Sequence, residues 1–177
     1  NGQKTGYFLD QQDNRREIKH IVNGADVLEA FCYTGTFSCH AGFYGAKSVM
    51  GLDISEHAVN TARRNAELND LQEICKFEAV NAFDQLKQYT REDRKFDVVI
   101  LDPPAFTKSR ENIQKAVVGY KEINLRGMKL LKPGGFLVTA SCTNLVSPSL
   151  FLETIDAAAR DAKKRLRQVT FQTQAQD

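Results

Sequence analysis

The sequence predicts an α/β domain built on a doubly wound, mostly parallel sheet. Two observations carry this. Short apolar runs alternate with amphipathic stretches along the chain, at the spacing of βαβ units. One run, KFDVVILD at 95–102, is apolar nearly throughout, as a central strand covered on both faces must be.

Each element has its own signal. ADVLEAF (25–31) reads as the first strand, followed by a turn with one glycine and a helix in FSCHAGFYG. KSVMGLDI (47–54) is the second strand. The next stretch, 55–69, places Ala58, Val59, Ala62 and Ala66 on one helical face, with Ser55 as its N-cap. ICKFEAV (74–80) is a strand and AFDQLKQY a short helix. The central strand ends at Pro103-Pro104, which cannot continue a ladder. A long amphipathic stretch over 109–131 is a helix that KPGG (132–135) is expected to stop. FLVTAS is strand five. Ser147 and Pro148 open a helix as N-cap and first helical residue, and RQVTFQTQ reads as a sixth strand.

The bulk properties narrow the function classes. With 177 residues the chain suits one core, and 1–177 is expected to form a single domain. No apolar run reaches the roughly 18–20 residues that span a bilayer, so no membrane partner is expected. Four dispersed cysteines without a Cys-x-x-Cys pair suggest thiols in a reducing, cytoplasmic setting. The three histidines are scattered as well, and no metal site is expected. A net charge of +2 permits a nucleic-acid partner without requiring one. The chain opens without Met and closes on what reads as an unfinished strand, which suggests a domain of something longer.

In open α/β sheets, ligands bind beyond the carboxyl ends of the strands. The residues there are the candidates. EAFCYTGTFS (29–38) has a glycine turn before a helix, but only Gly35, with Thr36 where a dinucleotide site needs another glycine. A looser turn suits a ligand without phosphate, such as S-adenosylmethionine. Asp53 ends strand two, 18 residues after Gly35, where a carboxylate can accept from both ribose hydroxyls. Asn81 and Ala82 follow strand three and have two readings: a contact to adenine, or an N-cap with Phe83 in the core. LDPP (101–104) presents the Asp102 carboxylate on a rigid turn, as enzymes methylating planar nitrogenous rings do.

Taken together, KTGYFLDQQDNRR, VLEAFCYTGTFS, GLDIS, LDPPAFTKS, GYKEINLRGMKLLKPGG and TASCTN resemble the catalytic domain of class I S-adenosylmethionine-dependent methyltransferases. More narrowly, they resemble the bacterial large-subunit ribosomal RNA cytosine-5 methyltransferases. The resemblance covers nearly the whole chain. It implies a Rossmann-like methyltransferase sheet, here without the family's last antiparallel strand and without its amino-terminal PUA-type RNA-binding domain. It implies S-adenosyl-L-methionine as cofactor and RNA, ribosomal RNA in particular, as partner. By position, Phe31, Tyr33, Thr34 and Gly35 surround the methionine and ribose end of the cofactor. Asp53 and Ile54 take the ribose side, Asn81 and Ala82 the adenine, and Asp102 begins the catalytic turn. Phe8 belongs to a segment, within 1–24, that covers the cofactor.

The resemblance also gives Cys142 a role. Carbon 5 of cytosine is a poor nucleophile, and addition of a thiolate to carbon 6 activates it. Cys142, just after strand five, is the candidate nucleophile, with Asp102 bonding ring nitrogen 3. Its bland alternative is a small buried residue ending a strand. Cys32, inside the cofactor loop, is the closest rival and is expected to face the methionine end. Relatives with two cysteines carry the second where this chain has Ala105, so removal of the carbon-5 proton falls to another base. Pro103, Pro104, Phe106, Lys108 and Arg110 are the expected substrate contacts, with Tyr120 a further ring to stack a flipped base and Lys115, Lys121, Arg126 and Lys129 as outlying cations. Two competitors remain: methylation of a guanine or adenine nitrogen, which needs no cysteine, and a non-catalytic module that binds cofactor or RNA.

Overall fold

A computed structural model describes residues 11–107 and 109–172. Two short helices, α1 (Gln12–Glu17) and α2 (Lys19–Val22), precede the sheet. Then β1 (Asp26–Ala30), α3 (Thr36–Phe43), β2 (Ser48–Asp53), α4 (Glu56–Leu68), β3 (Cys75–Ala79), α5 (Ala82–Arg91) and β4 (Phe96–Leu101) alternate. A 3-10 turn (Arg110–Asn112) leads into α6 (Ile113–Lys129), β5 (Leu131–Thr139) and α7 (Pro148–Asp161).

The five strands form one parallel sheet in the order β3-β2-β1-β4-β5. The order reverses between β1 and β4, which opens the crevice above their carboxyl ends. Alternation along the central strands divides the core. Val27 of β1 and Val98 and Ile100 of β4 face α3 and α4, packing with Phe37, Ala41, Val59 and Ala62. Leu28, Val99 and Leu101 face the other way, onto Leu86 of α5 and Ile123 of α6. α7 extends that second layer through Phe151, Ile155 and Ala158, which pack on α6.

The caps expected from the sequence are present. The Ser55 hydroxyl accepts from the Ala58 amide, and the Ser147 hydroxyl accepts from Leu150. Two expectations fail. KPGG does not stop α6, which ends at Lys129; it lies inside β5. Phe96 pairs with Leu131, whereas Val98 pairs with Phe136, so KPGG is an irregular bulge in the edge strand, with Gly134 at φ 78°. The sixth strand is also not formed over its described part. Residues 167–172 pair with no strand among the described residues, and Val169 is 75% exposed. Alternating apolar residues make a strand only when a neighbouring strand takes their amides and a layer covers one face. The helices α1 and α2 carry no clear periodicity and were not expected. Among the described residues, no helix is long and apolar enough to cross a membrane.

Candidate active site

The carboxyl ends of β1, β2, β4 and β5 meet at one edge of the sheet. After β1 the backbone turns sharply: Phe31 (φ 66°), Tyr33 (φ 48°) and Gly35 (φ 74°) all take left-handed conformations. Non-glycine residues rarely do so, and such strain collects at ligand sites. The turn is held at several points. The Gly35 amide donates to the Cys32 carbonyl at 2.7 Å, and the Cys32 amide donates to Leu52 at 2.9 Å. The Asn65 side chain donates to the Thr34 carbonyl at 2.9 Å. Gly35 has no room for a side chain: a Cβ there would sit 2.8 Å from the Ala62 Cβ and 2.8 Å from the Phe77 ring.

Asp53 faces this turn. One of its oxygens accepts from the Tyr33 amide and the other from Ser55, each at 2.9 Å. A carboxylate offers about four acceptor positions, so roughly two remain for a ligand. That fits a pair of ribose hydroxyls. Ile54, 74% exposed, adds an apolar surface beside it. At the end of β3 the Asn81 side-chain oxygen accepts from Phe83 and Asp84, the cap that the sequence offered as one of two readings. Its side-chain amide remains for a ligand, while Ala82 is buried at the start of α5.

Sequence reasoning assigned nothing to Glu29, one residue before the end of β1. It is 2% exposed, and its carboxyl accepts from both the amide and the hydroxyl of Ser38. It thereby ties β1 to the first turn of α3, on either side of the Phe31–Gly35 turn. Burial pushes its pKa up to about 8; the Ser38 bonds oppose this, Asp102 adds to it and Arg15 opposes it. Arg15 is itself buried, with its guanidinium 5.6 Å from the centre of the Phe37 ring. A single Glu inside an apolar strand gives no signal of its own, because its partner is set by the register of α3 against the sheet.

The second half of the site lies above β4 and β5. Leu101 pairs with Thr139, and the Ala140 amide donates to the Leu101 carbonyl at 3.0 Å. The chain segments that follow, Asp102-Pro103-Pro104 and Ser141-Cys142-Thr143, therefore emerge side by side. The Cys142 thiol is exposed and lies 3.6 Å from the Pro103 carbonyl oxygen, to which it donates. The Gln11 side chain reaches over and donates to the Asp102 carboxylate at 3.4 Å. Pro103 is buried beneath this turn; Pro104 and Arg110 are exposed.

The other cysteines differ sharply. Cys32 is 2% exposed and lies within the core, its sulfur beside Gly51, so it does not face the methionine end as expected. Burial raises all three of their thiols: Cys39 to about 11, Cys75 to about 12, and Cys32 further still. At neutral pH they remain protonated and weakly nucleophilic. All four cysteines are outside any disulfide.

Several proposed substrate contacts are placed otherwise. Tyr120 is fully buried and cannot stack a base. Phe106 is half-buried, its ring 4.6 Å from that of Tyr120. Lys121 is paired with Asp161 at 2.7 Å, and Arg126 with Glu122 and the Phe83 carbonyl. Phe8 and Lys108 lie outside the described residues. Among the described residues there is no group of acids, cysteines and histidines that could hold a metal ion.

A parallel sheet with this strand order, a strained turn after β1 and an acid after β2 define a cofactor-binding domain of the class I methyltransferase fold. The chain belongs to the S-adenosylmethionine-dependent methyltransferase family, whose pattern matches residues 1–170. S-adenosylmethionine is its cofactor. Among individual proteins, it is 43% identical over 178 residues to the ribosomal RNA large subunit methyltransferase I of Aeromonas hydrophila, covering 100% of this chain and 45% of that protein. The protein of the same name from Shewanella frigidimarina is 42% identical over 177 residues, again covering 99% of this chain and 45% of the relative. The chain thus spans under half the length of the curated relatives it matches. Among solved structures, a methyltransferase complexed with SAH superposes with a TM-score of 0.77 at 25% identity, over 86% of this chain and 40% of that one.

Proposed function

We propose that residues 1–177 form the catalytic domain of a cytoplasmic RNA methyltransferase that modifies carbon 5 of a cytosine in large-subunit ribosomal RNA. One observation carries the chemistry: an exposed cysteine thiol set 3.6 Å from the carbonyl of the Asp-Pro-Pro turn. The names of the relatives at 42–43% identity support the class of RNA.

When bound, S-adenosylmethionine supplies an electrophilic methyl group on sulfur. The strained turn Phe31–Gly35 surrounds its methionine and ribose end. Asp53 accepts from the ribose hydroxyls, Ile54 packs beside them, and Asn81 and Ala82 meet the adenine. Phe8 covers the cofactor. On the substrate side, Pro104 and Phe106 wall the flipped base above the buried Pro103, and Lys108 and Arg110 contact phosphates. The Cys142 thiolate forms a bond to carbon 6, which places electron density on carbon 5. Asp102 in its protonated form donates to ring nitrogen 3, and the shared proton offsets the charge that the addition moves there. After methylation, the carbon-5 proton leaves, the carbon 6–sulfur bond breaks, and the double bond returns. Ala105 offers no second thiol for that proton, so it passes to another base.

Cys142→Ala tests the reading. The variant is expected to bind S-adenosylmethionine as the parent does and to lose methyl transfer to RNA by at least about 10³-fold, the scale on which removal of a covalent nucleophile acts. Full turnover by the variant would instead assign methylation to a base nitrogen.

A further inference from the structure

The two reactive segments are joined beneath the surface by one side chain. Tyr120 lies in the middle of α6 and is 0% exposed. Its hydroxyl is 2.8 Å from the Thr143 hydroxyl, itself buried. The phenol therefore anchors the residue after Cys142 directly. Ser141 and Thr143 are linked to each other too, since the Thr143 amide donates to the Ser141 hydroxyl at 3.3 Å.

The same ring supports the opposite segment. Phe106, three residues after Pro103, meets Tyr120 edge-on at 4.6 Å and 65°. Gly119 lets Phe106 settle there, because a Cβ at that position would stand 3.3 Å from its ring. From below, Phe151 of α7 packs at 5.4 Å and 87°. Packing alone would be met by phenylalanine, which leaves no polar group to satisfy in the core. The hydroxyl is buried where its partner, Thr143, adjoins the exposed thiol.

We infer that Tyr120 is a positioning residue, whose hydroxyl fixes the Ser141-Cys142-Thr143 backbone so that the thiol stands over the Asp-Pro-Pro turn. The inference rests on the reading of Cys142 as nucleophile. Tyr120 itself touches neither cofactor nor base. Its removal should slow attack on carbon 6 and leave the cofactor turn after β1 untouched.

The experiment follows covalent adduct formation between the full chain and large-subunit ribosomal RNA containing 5-fluorocytidine, in which fluorine blocks the final elimination. Tyr120→Phe is expected to form the adduct about 10- to 100-fold more slowly than the parent, as a misplaced reacting group does, with an unchanged Kd for S-adenosylmethionine. Thr143→Val removes the same bond without altering the buried ring and should slow the adduct similarly. Adding Tyr120→Phe to that variant should then cost nothing more. An adduct rate in Tyr120→Phe equal to that of the parent overturns the inference, as does full additivity of the two changes. No adduct in the parent refutes the nucleophile reading itself, and the inference with it.

Discussion

Glu29 shows how a single residue joins the fold to the site. It is an acid in the middle of the apolar core, bonded to Ser38 and raised to about 8 chiefly by burial. In the folded protein it holds its proton at neutral pH, whereas its ordinary value of 4.5 means the unfolded chain has lost it. Between those values the native state binds more protons, so folding stability falls as pH rises from about 4.5 to about 8. Glu29→Gln keeps the shape and removes that proton linkage. Its Tm is expected to vary less than the parent's across this window, measured by thermal unfolding in buffers of matched ionic strength. Residues at this scale were unevenly legible. Asp53 and Asp102 stand at strand ends, where position nominates them; Cys142 stands at one too, but only the family resemblance separates it from a buried strand end. Glu29 and Tyr120 act from inside, and their partners, Ser38 and Thr143, are fixed only by how helices dock on the sheet. The sequence therefore offers Tyr120 as a ring to stack a base, whereas the docking of α6 buries it.

Elements were legible where local chemistry decides them. Ser55, Asn81 and Ser147 cap helices because their side chains satisfy amides two or three residues ahead. Strands β1 to β4 follow from apolar runs bounded by turns. The errors arose where a partner decides instead. KPGG has the composition of a helix stop, yet the edge of β4 draws it into a bulged β5. RQVTFQTQ has strand composition, but its described part has no paired neighbour. The turn after β1 is the element to which we assign cofactor binding, and Gly35 is its tightest point. Gly35→Ala forces a Cβ into Ala62 and Phe77 while holding φ at 74°. Urea unfolding is expected to show a loss of about 1–3 kcal/mol, together with weaker binding of S-adenosylmethionine by calorimetry.

At the scale of the molecule, the sheet works as a rigid frame with two different ends. At the amino ends of the strands, the Lys132 ammonium bridges Asp26 at 3.0 Å and Asp97 at 2.9 Å, closing β1, β4 and β5 together. At the carboxyl ends, the same three strands, with β2, release the cofactor turn, the Asp-Pro-Pro turn and the Cys142 segment into one crevice. An aromatic row runs from Phe31 through Phe83 and Phe106 down to the buried Tyr120, with ring centres 4.6–6.1 Å apart, linking the turn after β1 to the Cys142 segment. In the proposed mechanism such a frame brings a methyl donor and a thiol to the same base. Incubating the protein with methyl-labelled S-adenosylmethionine and large-subunit ribosomal RNA, then digesting the RNA to nucleosides, identifies the atom that is methylated. The expected product is 5-methylcytidine, absent with Cys142→Ala; label on a guanine or adenine nitrogen would contradict the cysteine mechanism outright.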